Sequence, residues 1–142
     1  MLFEKHKKLT KALLLVLCLF ILCTGCATDR TGGEEPLYSS ITMEDAATLL
    51  EAENDYIILD VRTEQEYFTG HIPGAMCIPN ETIDETVVAL LPDQDHVIFV
   101  YCRSGNRSKE AAEKLANLGY TNIVEIGGVK DWPGDLIIIG EE

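Results

Sequence analysis

"HVIFVYCRSGNRSKEAAEKL", His96 to Leu115, is the stretch that decides the architecture. It opens on a continuous apolar, β-branched run, the composition of a strand buried on both faces. It closes, from Ser108, on a helical pattern that Gly119 terminates as its C′ residue. Between them lies "CRSGNR", with one glycine and two arginines. In open α/β sheets the ligand crevice lies beyond the carboxyl ends of the strands, and Cys102 stands at such an end.

The flanking sequence repeats the alternation. "TMEDAATLLEAE" reads as a helix with Thr42 as its N-cap and Ala46, Leu49 and Leu50 at helical spacing. "YIILDV", Tyr56 to Val61, reads as a second buried strand. "TEQEYF" opens with a capping box, Thr63 and Glu66, and Gly70 can end that short helix. "AMCIP" is a short strand stopped by Pro79. "NETIDETVVALL" has Asn80 as a cap and Ile83, Val87, Leu90 and Leu91 on one stripe, which predicts a helix. "NIVEI" is a further strand, and "GGVKDWPGD" a turn-rich close. The segment Leu136–Glu142 stays open between a short edge strand and a docked tail. Strands alternating with helices predict an α/β layer fold with parallel pairing.

The N-terminus has a different character. Lys5, Lys7, Lys8 and Lys11 precede twelve uncharged residues, Ala12 to Cys23, and small residues then lead to Cys26. This is the layout of a secretory signal, and its apolar run is shorter than the ~20 residues a spanning helix needs. "CTGC" resembles the lipobox of bacterial lipoproteins, which implies a lipid on Cys26. The expected organisation is a signal peptide over 1–25, a lipidated N-terminus and tether over 26–37, and one α/β domain over 38–142. The expected location is the extracytoplasmic face of a bacterial cell membrane.

Beyond Cys26 the chain carries seven Lys and Arg against 23 Asp and Glu, a net charge of −16. A body this acidic excludes nucleic acid as a partner and repels anionic lipid, so the expected membrane attachment is the N-terminal lipid. Two thiols remain besides Cys26, namely Cys77 and Cys102, too few for a disulfide framework.

Arg103, Arg107 and Lys109 crowd into seven residues around the loop, although cations are scarce elsewhere. Free N–H groups and the positive dipole end at a helix start favour an anion, and thiolate is the nucleophilic form of cysteine. Gly105 lets the backbone turn tightly enough to aim several N–H groups inward. Cys102 is therefore the candidate nucleophile.

"YCRSGNRS", together with "LDVRTEQEYFTGHIPGA" (Leu59 to Ala75) and "GGVKDWPG" (Gly127 to Gly134), resembles the rhodanese (sulfurtransferase) family over about Ile41 to Gly134. The resemblance implies a rhodanese-like three-layer fold: a central, mostly parallel five-stranded sheet with helices on both faces. It also implies that Cys102 takes a sulfane sulfur from a small anionic donor such as thiosulfate, as a persulfide, and passes it to a thiol or other acceptor. Arg103, Ser104, Gly105 and Asn106 would then cradle the sulfur with their amides. Arg107 would shape the loop and attract the anion. No cofactor or metal is implied.

Other readings compete. A module that captures persulfide or polysulfide without turnover, or senses redox state, would use the same loop. Protein tyrosine phosphatases place five residues between Cys and Arg; here four intervene, a ring better sized for one sulfur atom. Asp60 and Arg62 read as a structural ion pair, and His71 as a hydrogen-bonded structural histidine rather than an acid–base group. Cys77 reads as a small core residue rather than a resolving thiol. Trp132 either walls the pocket mouth or packs.

Overall fold

The computed structural model describes residues 37–52 and 54–140. The expected signal peptide, Cys26 and most of the tether lie outside the described residues, as do Glu141 and Glu142.

Five strands form one sheet: β1 (Ser39–Ser40), β2 (Ile57–Asp60), β3 (Met76–Cys77), β4 (Ile98–Cys102) and β5 (Ile123–Gly128). Their order is β1-β5-β4-β2-β3, and every neighbouring pair is parallel. Among the described residues, three α-helices accompany them: α1 (Met43–Ala52), α2 (Glu64–Phe68) and α3 (Asn106–Asn117). Strand alternation sorts side chains onto two faces. Leu59, Ile98, Val100, Cys102 and Ile123 pack with Ala111, Ala112 and Leu115 of α3. Ile58, Phe99, Tyr101 and Ile126 pack with Met43 and Ala46 of α1. All five residues of β4 are buried. Each fully buried aliphatic side chain stabilises by about 1.5–3 kcal/mol, so the strand carrying Cys102 is held from both sides.

The helices begin where local chemistry directs. Thr42 Oγ1 accepts from the Asp45 N–H at 3.1 Å. At α2 the capping box is complete: Thr63 Oγ1 accepts from the Glu66 N–H at 3.3 Å, and Glu66 Oε2 accepts from the Thr63 N–H at 3.2 Å. Gly119, at φ 98°, follows α3 in the left-handed region that glycine adopts without penalty.

The expected five-stranded sheet is present, with every pairing among the described strands parallel; its fifth strand is β1 at the edge, so the C-terminal segment, left open by the sequence, is not one of the five. That segment meets the body as an antiparallel bridge, with the His71 N–H donating to Ile137 O and the Ile137 N–H to His71 O. The stretch predicted as a helix from Asn80 is two 3-10 turns, Asn80–Thr82 and Glu85–Ala89. Ile83 is extended, and Asp84 Oδ1 takes both the Thr86 N–H (2.8 Å) and the Thr86 hydroxyl (2.6 Å), a local alternative to helical bonding. Ile83, Val87 and Leu91 still face the core, while Leu90 is exposed. Finally, α3 starts at Asn106, with Ser108 inside its first turn.

Candidate active site

β4 delivers Cys102 to the carboxyl edge of the sheet, and the chain must then reverse into α3. Two glycines allow it. Gly105, at φ 95°, is the N-cap of α3 in the left-handed region. Gly128, the partner of Cys102 across a register shift between β4 and β5, is extended and lies hard against the loop. A Cβ there would stand 2.5 Å from Arg103 O and 2.6 Å from Ser104 Cα. Only a residue without a side chain lets the loop sit on the end of β5.

The Cys102 sulfur is buried and accepts the Gly105 N–H at 3.1 Å. Burial pushes its pKa up. Hydrogen bonds from the Ser104 N–H, from the hydroxyl and N–H of Ser108 and from the Gly105 N–H outweigh burial and bring the thiol below its ordinary value. The start of a twelve-residue helix adds its dipole in the same sense. Around the sulfur, Gly105 is buried, whereas Arg103, Ser104 and Asn106 are exposed on the outer side of the loop.

Arg107 is committed to a partner the sequence did not announce. Its Nη1 donates to Glu66 Oε2 at 2.7 Å and its Nη2 to Glu66 Oε1 at 2.8 Å. This fork ties the loop to the start of α2, 41 residues away in sequence. The hydrogen bonds from Arg107 hold the Glu66 carboxyl well down, at about 2. The same contacts, with the charge of Cys102 nearby, push the guanidinium above its ordinary value.

Glu125 is the other side chain missed. It is a buried acid in β5, and its Oε1 accepts the Ser108 hydroxyl at 2.6 Å and the Gly127 N–H at 2.9 Å. The available signal was one acid inside the apolar run "NIVEI".

Asp60, Arg62 and His71 brace the loop that leaves β2. Arg62 Nη2 donates to Asp60 Oδ2 at 2.6 Å and to Gly70 O at 2.7 Å. Asp60 Oδ1 accepts the Arg62 N–H at 2.9 Å. His71 stacks on Tyr67, with ring centroids 3.7 Å apart, and its Nδ1 lies 3.1 Å from Tyr67 O. These polar contacts go to one another and to the Gly70 and Tyr67 carbonyls, not to Cys102. Cys77 is half-buried, with Sγ 3.6 Å from Arg62 O, and burial pushes its thiol up to about 11. Trp132 is half-buried and lines a cavity of about 300 Å3 on the α1 side with Tyr56, Ile72 and Pro73; Cys102 is not among its walls.

Residues 42–135 match the rhodanese-like domain family. The chain is 37% identical over 73 residues to "Thiosulfate sulfurtransferase PspE" of Escherichia coli K12, covering 51% of this chain and 70% of that protein. It is 31% identical over 103 residues to "Adenylyltransferase and sulfurtransferase UBA4" of Candida albicans, covering 68% of this chain but only 24% of that longer protein. A solved "rhodanese with anions from E. coli" aligns at 32% identity with a TM-score of 0.55, over 58% of this chain and 98% of that one.

Proposed function

The chain belongs to the rhodanese-like family, and from that premise we propose that it is a sulfurtransferase that carries a sulfane sulfur on Cys102 as a persulfide. The observation that carries this reading is the buried Cys102 sulfur, facing the Gly105 N–H at 3.1 Å in a loop of four residues closed by Arg107. The Cys102 thiolate attacks the outer sulfur of thiosulfate. A new S–S bond forms, the old one breaks, and sulfite leaves with its electron pair. A thiophilic acceptor such as cyanide then attacks the terminal sulfur, departs as thiocyanate and returns the thiolate. Amide donors preorganised around the sulfur stabilise its charge in both steps.

For Arg107 we propose a narrower part than the loop and anion binding expected from the sequence. Its donors already face both oxygens of Glu66, so its service is to hold the loop's shape, and the anion meets a neutralised pair rather than a free guanidinium. Incubation of the protein with thiosulfate should add one sulfur to the Cys102 peptide by mass spectrometry, and cyanide should remove it with release of thiocyanate. Repeated cycles separate a turning-over enzyme from a module that only stores sulfur. Cys102-dependent hydrolysis of an aryl phosphate without a sulfur adduct would replace this reading with a phosphatase.

A lipid on Cys26 and attachment to the extracytoplasmic face of a bacterial membrane complete the proposal, supported by the basic start, the short apolar run and the small residues before Cys26. Mass spectrometry of the mature N-terminus should find an acylated cysteine; an intact Met1 would exclude it.

A further inference from the structure

Six of the seven Lys and Arg beyond Cys26 lie among the described residues, and they fall into two groups. Arg62 pairs with Asp60 at 2.6 Å, Arg107 with Glu66 at 2.7 Å and Lys114 with Glu110 at 3.1 Å. Lys114 also donates to Asn80 O at 2.9 Å. Arg103, Lys109 and Lys130 are exposed and make no ion pair among the described residues. A paired cation presents little net charge to an approaching solute, whereas each of these three presents a full one.

The unpaired three stand on segments that meet at the nucleophile. Arg103 follows Cys102 directly. Lys109 closes the first turn of α3: its N–H donates to Gly105 O at 3.3 Å, and the Gly105 N–H donates to the Cys102 sulfur at 3.1 Å. Lys130 lies in the 3-10 turn Val129–Asp131, two residues beyond Gly128. Gly128 is in register with Cys102 and seated against Arg103 and Ser104. Beyond Cys26 the chain as a whole carries a net charge of −16, seven cations against 23 acids. An anion is therefore repelled by most of this surface, and the unpaired cations are gathered where the thiolate waits.

We propose that Lys109 and Lys130, with Arg103, form an anion-collecting rim that makes Cys102 selective for negatively charged sulfur compounds over neutral ones. Arg107 cannot serve in this way while Glu66 occupies both prongs of its guanidinium. The two lysines act at a distance, on the approach of the anion rather than on the bond-making step. A unit charge about 10 Å away, acting through water at low salt, changes the approach of a monoanion about twofold. Coulomb energy is linear in charge, so for a dianion such as thiosulfate the factor squares, to about fourfold per cation. The inference rests on the sulfurtransferase reading for its purpose, but its test needs no sulfur donor.

The test compares alkylation of Cys102 by iodoacetate, an anion, and by iodoacetamide, its neutral counterpart. Rates are read by mass spectrometry of the Cys102 peptide in the detergent-solubilised full chain, at about 10 mM salt. Both reagents need the thiolate, so their rate ratio cancels any change in its population and reports the effect of the reagent's charge. Lys109→Gln and Lys130→Gln should each lower the iodoacetate-to-iodoacetamide ratio about twofold, and the double variant about fourfold. Lys109→Arg and Lys130→Arg should keep the native ratio. Lys114→Gln removes the same unit of net charge from the last turn of α3, roughly 13 Å along the helix from Gly105, and should move the ratio less than either. At about 1 M salt, where the screening length is about 3 Å, the variants should converge on the native chain. An unchanged ratio in the double variant would overturn the proposal. So would a difference that survives at about 1 M salt, which would make the lysines' effect steric. An equal loss in Lys114→Gln would overturn it too, by reducing the rim to net charge alone. Failure of thiosulfate to load Cys102 would leave the anion-selective rim standing, and failure of the rim would leave sulfur loading intact.

Discussion

Gly128→Ala isolates the contact on which the loop is seated. The backbone of Gly128 is extended, at φ −120° and ψ 136°, so alanine carries no conformational penalty there. All the damage comes from contact. The new Cβ would stand 2.5 Å from Arg103 O, 2.6 Å from Ser104 Cα and 2.8 Å from Arg103 C. These are backbone atoms and cannot rotate away. Ordinary packing between such atoms starts near 3.4 Å, so loop and strand must separate by about 0.5–1 Å. Overpacking of this kind destabilises by about 1–3 kcal/mol. The effect on chemistry should be larger, because a misplacement of about 1 Å can cost about a hundredfold in rate. The assay is single-turnover loading of Cys102 from thiosulfate, beside thermal unfolding. Gly74→Ala is the comparator: at φ 79° it carries left-handed strain of about 1–2 kcal/mol, but no atom lies within 4 Å of its new Cβ. Gly128→Ala should lose loading roughly a hundredfold while Gly74→Ala keeps it, at comparable losses of stability. Equal loading in the two variants would refute the view that close approach at Gly128 positions the nucleophile.

Other perturbations have signs that follow from the contacts. Glu66 is held at about 2, below its unfolded value near 4.5, so its contribution to stability is complete above 4.5 and is lost as pH falls towards 2. Denaturant midpoints across that window should fall for the native chain and fall less for Glu66→Gln; with the pair partly exposed, about 1 kcal/mol is expected. Arg107→Lys keeps the charge but cannot donate from two fixed prongs, so sulfur loading should drop to between that of the native chain and that of Arg107→Ala. Tyr101→Phe removes the buried oxygen that accepts the Ile72 N–H at 3.1 Å and should destabilise by about 1–3 kcal/mol in urea titration. Cys77, with its thiol pushed up to about 11, should stay unalkylated near neutral pH while Cys102 reacts, as peptide mass spectrometry would show.

What the sequence disclosed depended on whether a feature was local. The apolar runs of β2 and β4, the Thr63–Glu66 capping box and the glycine that closes α3 each announce themselves within a few residues. β1 did not, because Ser39 and Ser40 are exposed and lack strand-forming side chains; the strand exists through parallel pairing with Val124 and Glu125 and through the Ser39 hydroxyl, which donates to Ile123 O at 3.2 Å. Arg107 was legible as part of the loop, but its pairing with Glu66 joins distant segments and no spacing rule reaches that far. Glu125 looked like any strand acid, since only its burial beneath the Gly105 turn separates it from the many solvated carboxylates of this chain. The 3-10 turns from Asn80 bury Ile83, Val87 and Leu91 at near-helical spacing without a helical backbone, so periodicity read those three correctly and missed both the conformation and the exposure of Leu90.

Glu66 answers to two masters. One oxygen, Oε2, accepts from the Thr63 N–H at 3.2 Å, the Thr63 hydroxyl at 3.1 Å and Arg107 Nη1 at 2.7 Å. A capping box on its own admits glutamine as readily as glutamate, and a surface helix on its own tolerates an inserted residue. Neither freedom survives here. Glutamine would satisfy the helix and leave Arg107 facing an amide. An insertion between Thr63 and Glu66 would leave the helix another cap to find and swing the carboxylate off the nucleophile's loop. A stretch that looks like replaceable scaffolding is therefore bound to the same rules of change as the thiol itself, although it makes no contact with sulfur.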